Sequence, residues 1–242
     1  MKKSIKTFIL SALLISFISN AQSPDKIKGN GNVVSETRTT SDYDVIKVSG
    51  SFDVDLVAGK EGKIIVKGEE NLVAAVKVEV ENNILKIYVE KGSNIRPSIG
   101  KKIEITVPFQ KISEVNLSGS GNIMSKDAIK TDKFSAKLAG SGNFNLDVDS
   151  NTLELNLSGS GNIRLKGTSD SLTTKLAGSG NIDTTNLKAK NADVNVSGSG
   201  NSRINCIERL TARIAGSGDI KYTGNPEKRD VKVSGSGSIS KA

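Results

Sequence analysis

The chain of 242 residues has no histidine and no tryptophan, and its only cysteine is Cys206. Without histidine, neither Ser/His/Asp nor Cys/His catalysis is available, and the commonest metal ligand is missing. One cysteine makes no disulfide framework and no structural zinc site. Stability must therefore come from packing and backbone hydrogen bonds, and Cys206 reads as a small core residue between Ile204 and Ile207. Aromatics are few, with three Tyr and six Phe, so no platform of exposed rings for a tight carbohydrate site is visible. Proline is scarce too, at four residues. Beyond the N-terminus no apolar run approaches the roughly 20 residues a membrane-spanning helix needs, so no span is expected in the mature chain.

The first residues read as an export address. Lys2, Lys3 and Lys6 precede an apolar run from Phe8 to Ile18, and Ser19-Asn20-Ala21 offers a small-residue cleavage site before Gln22, the order of a secretory signal peptide. The expected organisation is a signal peptide over 1–21 and a single domain over 22–242. The mature protein then belongs in the periplasm, at the outer-membrane surface or outside the cell. Losing three lysines lowers the formal charge from +8 to +5. Outward strand positions such as Glu154, Lys175, Asp193, Arg213 and Lys232 mix signs, which marks a solvated face rather than a nucleic-acid stripe.

What the chain has in quantity is a repeat. Seven times it writes an aliphatic residue, Ser or Ala, then Gly-Ser-Gly, usually followed by Asn and Ile. The first glycines are Gly119, Gly140, Gly159, Gly178, Gly198, Gly216 and Gly235, at spacings of 21, 19, 19, 20, 18 and 19. A fixed period near 20 is the mark of a solenoid, in which each repeat buries its apolar face against its neighbours. Before each turn apolar residues alternate with polar ones, as in Leu153, Leu155 and Leu157, and period two places one set inside and the other outside. After the turn Ile123, Phe144, Ile163, Ile182 and Ile220 restart the inward row. Ser202 interrupts it and Ile239 continues it.

Glycine reaches positive φ at little cost, and small residues let corners stack at the strand spacing of about 4.8 Å. Asn122, Asn143, Asn162, Asn181 and Asn201 are placed to form a side-chain ladder from coil to coil, with Asp219 and Ser238 departing from it. The residue before Gly-Ser-Gly alternates without exception: Ser118, Ala139, Ser158, Ala177, Ser197, Ala215, Ser234. That double period predicts a flattened helix with two repeats per turn. One coil would then run from Ser118 to Ser158, with one column of corners carrying Ser and the other Ala.

Residues 22–112 have a different texture from the regular repeats of 113–242. Runs such as 45–48, 52–56, 63–66, 76–80, 84–89 and 103–107 are β-branched and partly alternating, the pattern of half-buried strands. Glu81-Asn82-Asn83 reads as a hairpin turn, and residues 69–76 as room for one helical turn. Lys28-Gly29-Asn30-Gly31-Asn32-Val33 and Val48-Ser49-Gly50-Ser51-Phe52 look like degraded copies of the repeat. The long stretch between Gly50 and Gly119 then forms a β-rich insertion that covers one end of the stack, where unpaired backbone would otherwise invite edge-to-edge aggregation.

The recurring Ser/Ala-Gly-Ser-Gly-Asn-Ile behind a leader and a β-rich first part resembles the putative auto-transporter adhesin head domain family, also called the head GIN domain, common in Bacteroidetes. The resemblance covers nearly the whole mature chain. It implies a right-handed parallel β-helix of the pectin-lyase type, with paired repeats between two facing sheets, and a role in cell adhesion.

For chemistry the residues offer little. Gly-Ser-Gly-Asn-Ile lacks the following helix that a phosphate-cradling loop requires. Calcium-binding glycine repeats carry Asp in every copy, and here Asn stands there. No catalytic, cofactor or metal residue is assigned and no cofactor is expected. Asp53 with Asp55, and Asp147 with Asp149, sit two apart on one strand face, the only raw material for a polysaccharide lyase or hydrolase. The leading expectation is an exported, non-catalytic β-solenoid for adhesion or envelope interactions, with partners among cell-surface or envelope components or glycans. The alternatives are that enzyme, or a structural periplasmic module for another protein.

Overall fold

The computed structural model describes residues 26–90 and 93–242; the expected signal peptide lies outside the described residues. The chain is a β-solenoid of about 7 turns made of stacked parallel coils. One coil shows how the sequence builds it. After the corner at 140–142, Phe144, Leu146 and Val148 are buried while Asn145 and Asp147 face out. Asn151 and Thr152 are then exposed in succession, which resets the alternation and turns the chain. Leu153, Leu155 and Leu157 are buried on the way back, and the next glycine corner begins at Gly159. The run after each glycine corner is here the leading side, and the run before the next corner the trailing side.

The second bend carries small side chains turned inward. Ser150 pairs with Ser169, Ser169 with Ala189, and Ala189 with Cys206, and all four are buried. Cys206 therefore lies in the core with Ile204, as expected, but Ile207 is 47% exposed, because the chain has already turned. The Sγ of Cys206 donates to the Arg209 carbonyl at 3.0 Å, and burial pushes the thiol pKa up.

The register corrects the expected coil. Gly119 pairs with Gly140, Gly140 with Gly159, Gly159 with Gly178, and so on to Gly235. All seven corners stand in one column, with Ser118, Ala139 and Ser158 intermixed along it. Each coil thus holds one Gly-Ser-Gly repeat, as from Gly140 to Gly159, and not the expected two. The far side turns at a second bend with no recurring glycine, where Gly167 and Gly224 occur in single coils, so a continuous glycine column closes only one edge.

Why that column must be glycine is visible at Gly159. Its φ is +124°, and a Cβ there would lie 2.4 Å from the Gly140 carbonyl oxygen. That oxygen accepts from two successive N–H groups of the next coil, Ser160 and Gly161, at 3.0 Å each. The corner is held by backbone alone, at an approach no side chain permits.

The N-terminal part caps the stack. Val45–Ser49 and Asp53–Ala58, joined at Gly50, form a coil in register with Glu114–Gly119 and Asn122–Ser125 on one side and with Ile84–Val89 and Glu104–Phe109 on the other. Beyond these the direction reverses. Lys63–Glu69 runs antiparallel to Glu104–Phe109, Val33–Thr39 antiparallel to Lys63–Glu69, and Val76–Glu81 antiparallel to Ile84–Val89. The insertion after Gly50 therefore covers that end, as the sequence implies. Asn82 and Asn83 turn the last hairpin with φ of 52° and 61°, and Glu70–Val73 is a single helical turn. One continuous apolar core runs from Tyr43 in the cap to Tyr222.

Gly29 and Gly31 do not belong to the corner column, contrary to the sequence reading. Lys26–Lys28 pairs only with Asn94–Arg96 in a separate two-stranded sheet. The glycines wrap a buried carboxylate instead: Glu69 Oε1 accepts from the Gly31 N–H at 2.7 Å and from Ser98 Oγ at 2.6 Å, and Oε2 accepts from the Ser98 N–H at 2.8 Å. A Cβ on Gly29 would stand 2.0 Å from Glu69 Oε2.

Candidate functional site

Stacking one repeat per coil turns the outward residues into columns. On the trailing side one column reads Glu114, Ser135, Glu154, Thr173, Asp193, Thr211, Asp230, and its neighbour Asn116, Lys137, Asn156, Lys175, Asn195, Arg213, Lys232. Acid and hydroxyl alternate in the first. Asn and cation alternate in the second until Lys232. The Ser/Ala double period has the same parity: Ser118, Ser158, Ser197 and Ser234 lie on the acid-bearing strands. In-register parallel strands put identical positions about 4.8 Å apart, where like charges repel. Alternation doubles that distance to about 9.6 Å, close to the Debye length of roughly 8–10 Å.

Three of the four acids also find a cation in a neighbouring coil. Lys137 reaches Glu114 at 2.6 Å and Lys175 reaches Glu154 at 3.2 Å, while Arg213 pairs with Asp230. The Asn two residues on supports its own acid: Asn116 donates to Glu114 at 2.7 Å, Asn156 to Glu154 at 3.1 Å and Asn195 to Asp193 at 2.8 Å. Burial pushes the Glu114 carboxyl up, but the bonds from Lys137 and Asn116 outweigh it and hold its pKa low. Bonds from Asn156 and Lys175 hold Glu154 low as well. The mixed-sign positions singled out in the sequence thus fall in two columns of a self-neutralising lattice.

On the leading side the expected Asn ladder forms. Asn143 Nδ2 donates to Asn122 at 2.8 Å, Asn162 to Asn143 at 2.8 Å, Asn181 to Asn162 at 2.9 Å and Asn201 to Asn181 at 3.2 Å. Asn122 donates in turn to Asp53 at 2.6 Å, so every amide points toward one carboxylate in the cap. The two departures extend the chain of bonds by other means. The Asp219 N–H donates to Asn201 Oδ1, and Asp219 Oδ1 accepts from Ser238 through both its N–H and its hydroxyl, which lowers the Asp219 pKa.

Two shallow clefts open on this leading face. The one toward the cap, about 500 Å³, is lined by Asp53, Asp55 and Glu104 among others. These carboxylates are matched with lysines: Asp53 with Lys102 at 2.7 Å, Asp55 with Lys126 at 3.2 Å, Glu104 with Lys67 at 2.9 Å. The other pair singled out in the sequence lies elsewhere. Asp147 is bridged to Lys166 at 3.1 Å, and Asp149 accepts from the Thr168 hydroxyl at 2.8 Å. The two aspartate pairs are not brought together, and each acid has a partner.

The second cleft, about 390 Å³, is lined by Arg164, Asp183, Arg203 and Lys221 beside Asn162, Asn181 and Asn201. The four charged residues occupy one column, one per coil. Sequence reading missed this group, because these positions line up only when the repeats are aligned one per turn. Among the described residues no group of three or more His, Cys, Asp or Glu is placed to hold a metal ion, and no helix is long and apolar enough to cross a membrane.

Comparison with known proteins agrees with this architecture. The family model described as "Putative auto-transporter adhesin, head GIN domain" matches residues 42–226. The chain belongs to that family. Among solved structures, a "putative lipid binding protein" from Parabacteroides distasonis is 32% identical, with a TM-score of 0.76, and the match covers 90% of this chain and 100% of that one. A "putative adhesin" from Bacteroides fragilis shares the fold at 21% identity, with a TM-score of 0.80 and coverage of 89% and 100%. Another, from Parabacteroides merdae, does so at 20% identity, with a TM-score of 0.65 and coverage of 90% and 99%. No curated protein matches the chain.

Proposed function

We propose that this head GIN domain protein is an exported, non-catalytic β-solenoid that adheres to cell-surface or envelope components through its long outer faces. The observation that carries the reading is the regularity of those faces. They present the same polar groups at every coil or every second coil, and their acids are tied to lysine, arginine, asparagine or hydroxyl partners. A catalytic carboxylate pair needs at least one acid held in an unusual protonation state. Each acid of the cap-side cleft is instead matched to a lysine. Family membership and the neighbouring adhesins support an interaction role, and the lipid-binding description of the 32% relative adds envelope lipid to the surfaces worth testing. The signal peptide expected from the sequence over 1–21 supports export.

The test is binding of the purified full chain to intact cells, to isolated envelope fractions, to lipid vesicles and to a glycan array. Retention on at least one of these surfaces, together with no product from a panel of polysaccharides, is the expected result. Release of oligosaccharides from any member of that panel, or absence of binding to every surface, overturns the reading.

A further inference from the structure

We propose that Arg164, Arg203 and Lys221 form an oxyanion-binding site on the leading face, and that its ligand is an acidic polysaccharide lying along the coil axis. This rests on the adhesive reading above and gives it a location and a ligand class.

The three cations and Asp183 stand in one column at one-coil steps. Arg164 and Arg203 are therefore about 9.6 Å apart, and Lys221 lies about 4.8 Å further along. Asp183 between the two arginines relieves their repulsion, but its carboxylate is largely engaged elsewhere. Oδ1 accepts from the Thr185 N–H at 3.1 Å and from its hydroxyl at 2.5 Å, and Arg203 approaches Oδ2 only to 3.9 Å. Asp219, the other acid at the cleft, is occupied by Ser238. Among the described residues Arg164 and Lys221 have no ion-pair partner, and the Arg203 side chain is 64% exposed. On the trailing face, by contrast, Lys137, Lys175 and Arg213 are each paired to an acid. Each acid at this cleft has one oxygen engaged within the fold, and Arg164, Arg203 and Lys221 are exposed.

Guanidinium groups take carboxylate and sulfate oxygens in two-pronged hydrogen bonds. Two of them spaced by two coils suit an extended chain that carries one acidic group per disaccharide. The cleft gives such a chain the rungs of the Asn ladder for its hydroxyls. The apolar residues lining it, Ile163 and Ile182, are buried, so it offers no side chain to insert into a lipid surface. With no aromatic ring in the lining, recognition rests on charge and hydrogen bonds and weakens as salt rises.

The experiment titrates the full chain with hyaluronan (one carboxylate per disaccharide), κ-carrageenan (one sulfate per disaccharide), neutral dextran, duplex DNA and phosphatidylglycerol vesicles. It compares wild type, R164Q/R203Q, and K137Q/K175Q on the opposite face, at low and high salt. Unchanged thermal melting confirms that these exposed changes leave the fold intact. The expected result is binding of at least one acidic glycan and not of dextran, weakened by salt and about tenfold or more weaker in R164Q/R203Q, with K137Q/K175Q close to wild type. Preference for the uronate or the sulfate identifies the acidic group. The proposal is overturned by equal binding of wild type and R164Q/R203Q, by an equal loss in K137Q/K175Q, by tighter binding to DNA or vesicles than to any glycan, or by no glycan binding. If R164Q/R203Q still adheres to cells as wild type does, only the site falls; if wild type adheres to nothing, the adhesive reading falls with it.

Discussion

Lys175 and Asn156, from adjacent coils, donate to the same oxygen of Glu154, at 3.2 and 3.1 Å. Every acid-bearing coil of the trailing face is thus supported from its own strand or from a neighbour.

That arrangement predicts the cost of breaking the alternation. Thr173 stands between Glu154 and Asp193. Thr173→Glu would stack three carboxylates at successive coils and cost about 1–2 kcal/mol at low ionic strength. Adding salt should restore most of the loss, and Thr173→Gln should not show it. Denaturant unfolding at low and high salt checks this, and an equal loss in both variants would remove the electrostatic explanation.

Backbone geometry makes a sharper demand at the corners. Gly159→Ala combines a positive φ with a Cβ contact of 2.4 Å to a carbonyl oxygen one coil away. It should cost at least about 2 kcal/mol. Ser160→Ala, at an exposed position one residue later, should stay within about 0.5 kcal/mol of wild type. Paired unfolding curves measure both.

Asn162 donates to Asn143 and accepts from Asn181. Asn162→Ala removes both bonds at once and should cost about 1–2 kcal/mol at roughly 1 kcal/mol per net hydrogen bond. The readout is equilibrium unfolding, and a variant as stable as wild type would mean the ladder contributes no stability.

Glu69 gives the cap a pH signature. Bonds from Ser98, first from its hydroxyl and then from its N–H, hold the carboxyl below its ordinary value. A folded pKa below the unfolded one stabilises above the unfolded value, near 4.3, and that stability is lost as pH falls through the folded value. Glu69→Gln should lower the melting temperature at pH 7, with the difference from wild type shrinking below about pH 4. A difference independent of pH would assign the effect to packing alone.

Much of this molecule is legible in its sequence because its strictest requirements are local. The inward rows follow from period two, and the glycine corners from backbone sterics at single residues. The number of repeats per turn is not legible in the same way. One repeat or two per turn give the same alternation along a strand, and the feature that decides is the second bend. It has no glycine signature, only two consecutive exposed residues such as Asn151 and Thr152. The Ser/Ala alternation suggests two repeats per turn, but the same double period runs through the charges stacked beside it in a column of single-repeat coils. Gly29 and Gly31 imitate a corner because small size also serves the Glu69 carboxylate. Arg164, Arg203 and Lys221 were hidden for a related reason: their common column exists only after the coil length is fixed.

Parity has a consequence for how such a chain can change length. Adding or deleting a single turn would set two acid-bearing turns, or two lysine-bearing turns, side by side. Adding or deleting two turns together, as from Gly159 to Gly198, preserves the sequence of partners. Insertions and deletions that this chain tolerates should therefore come as doublets.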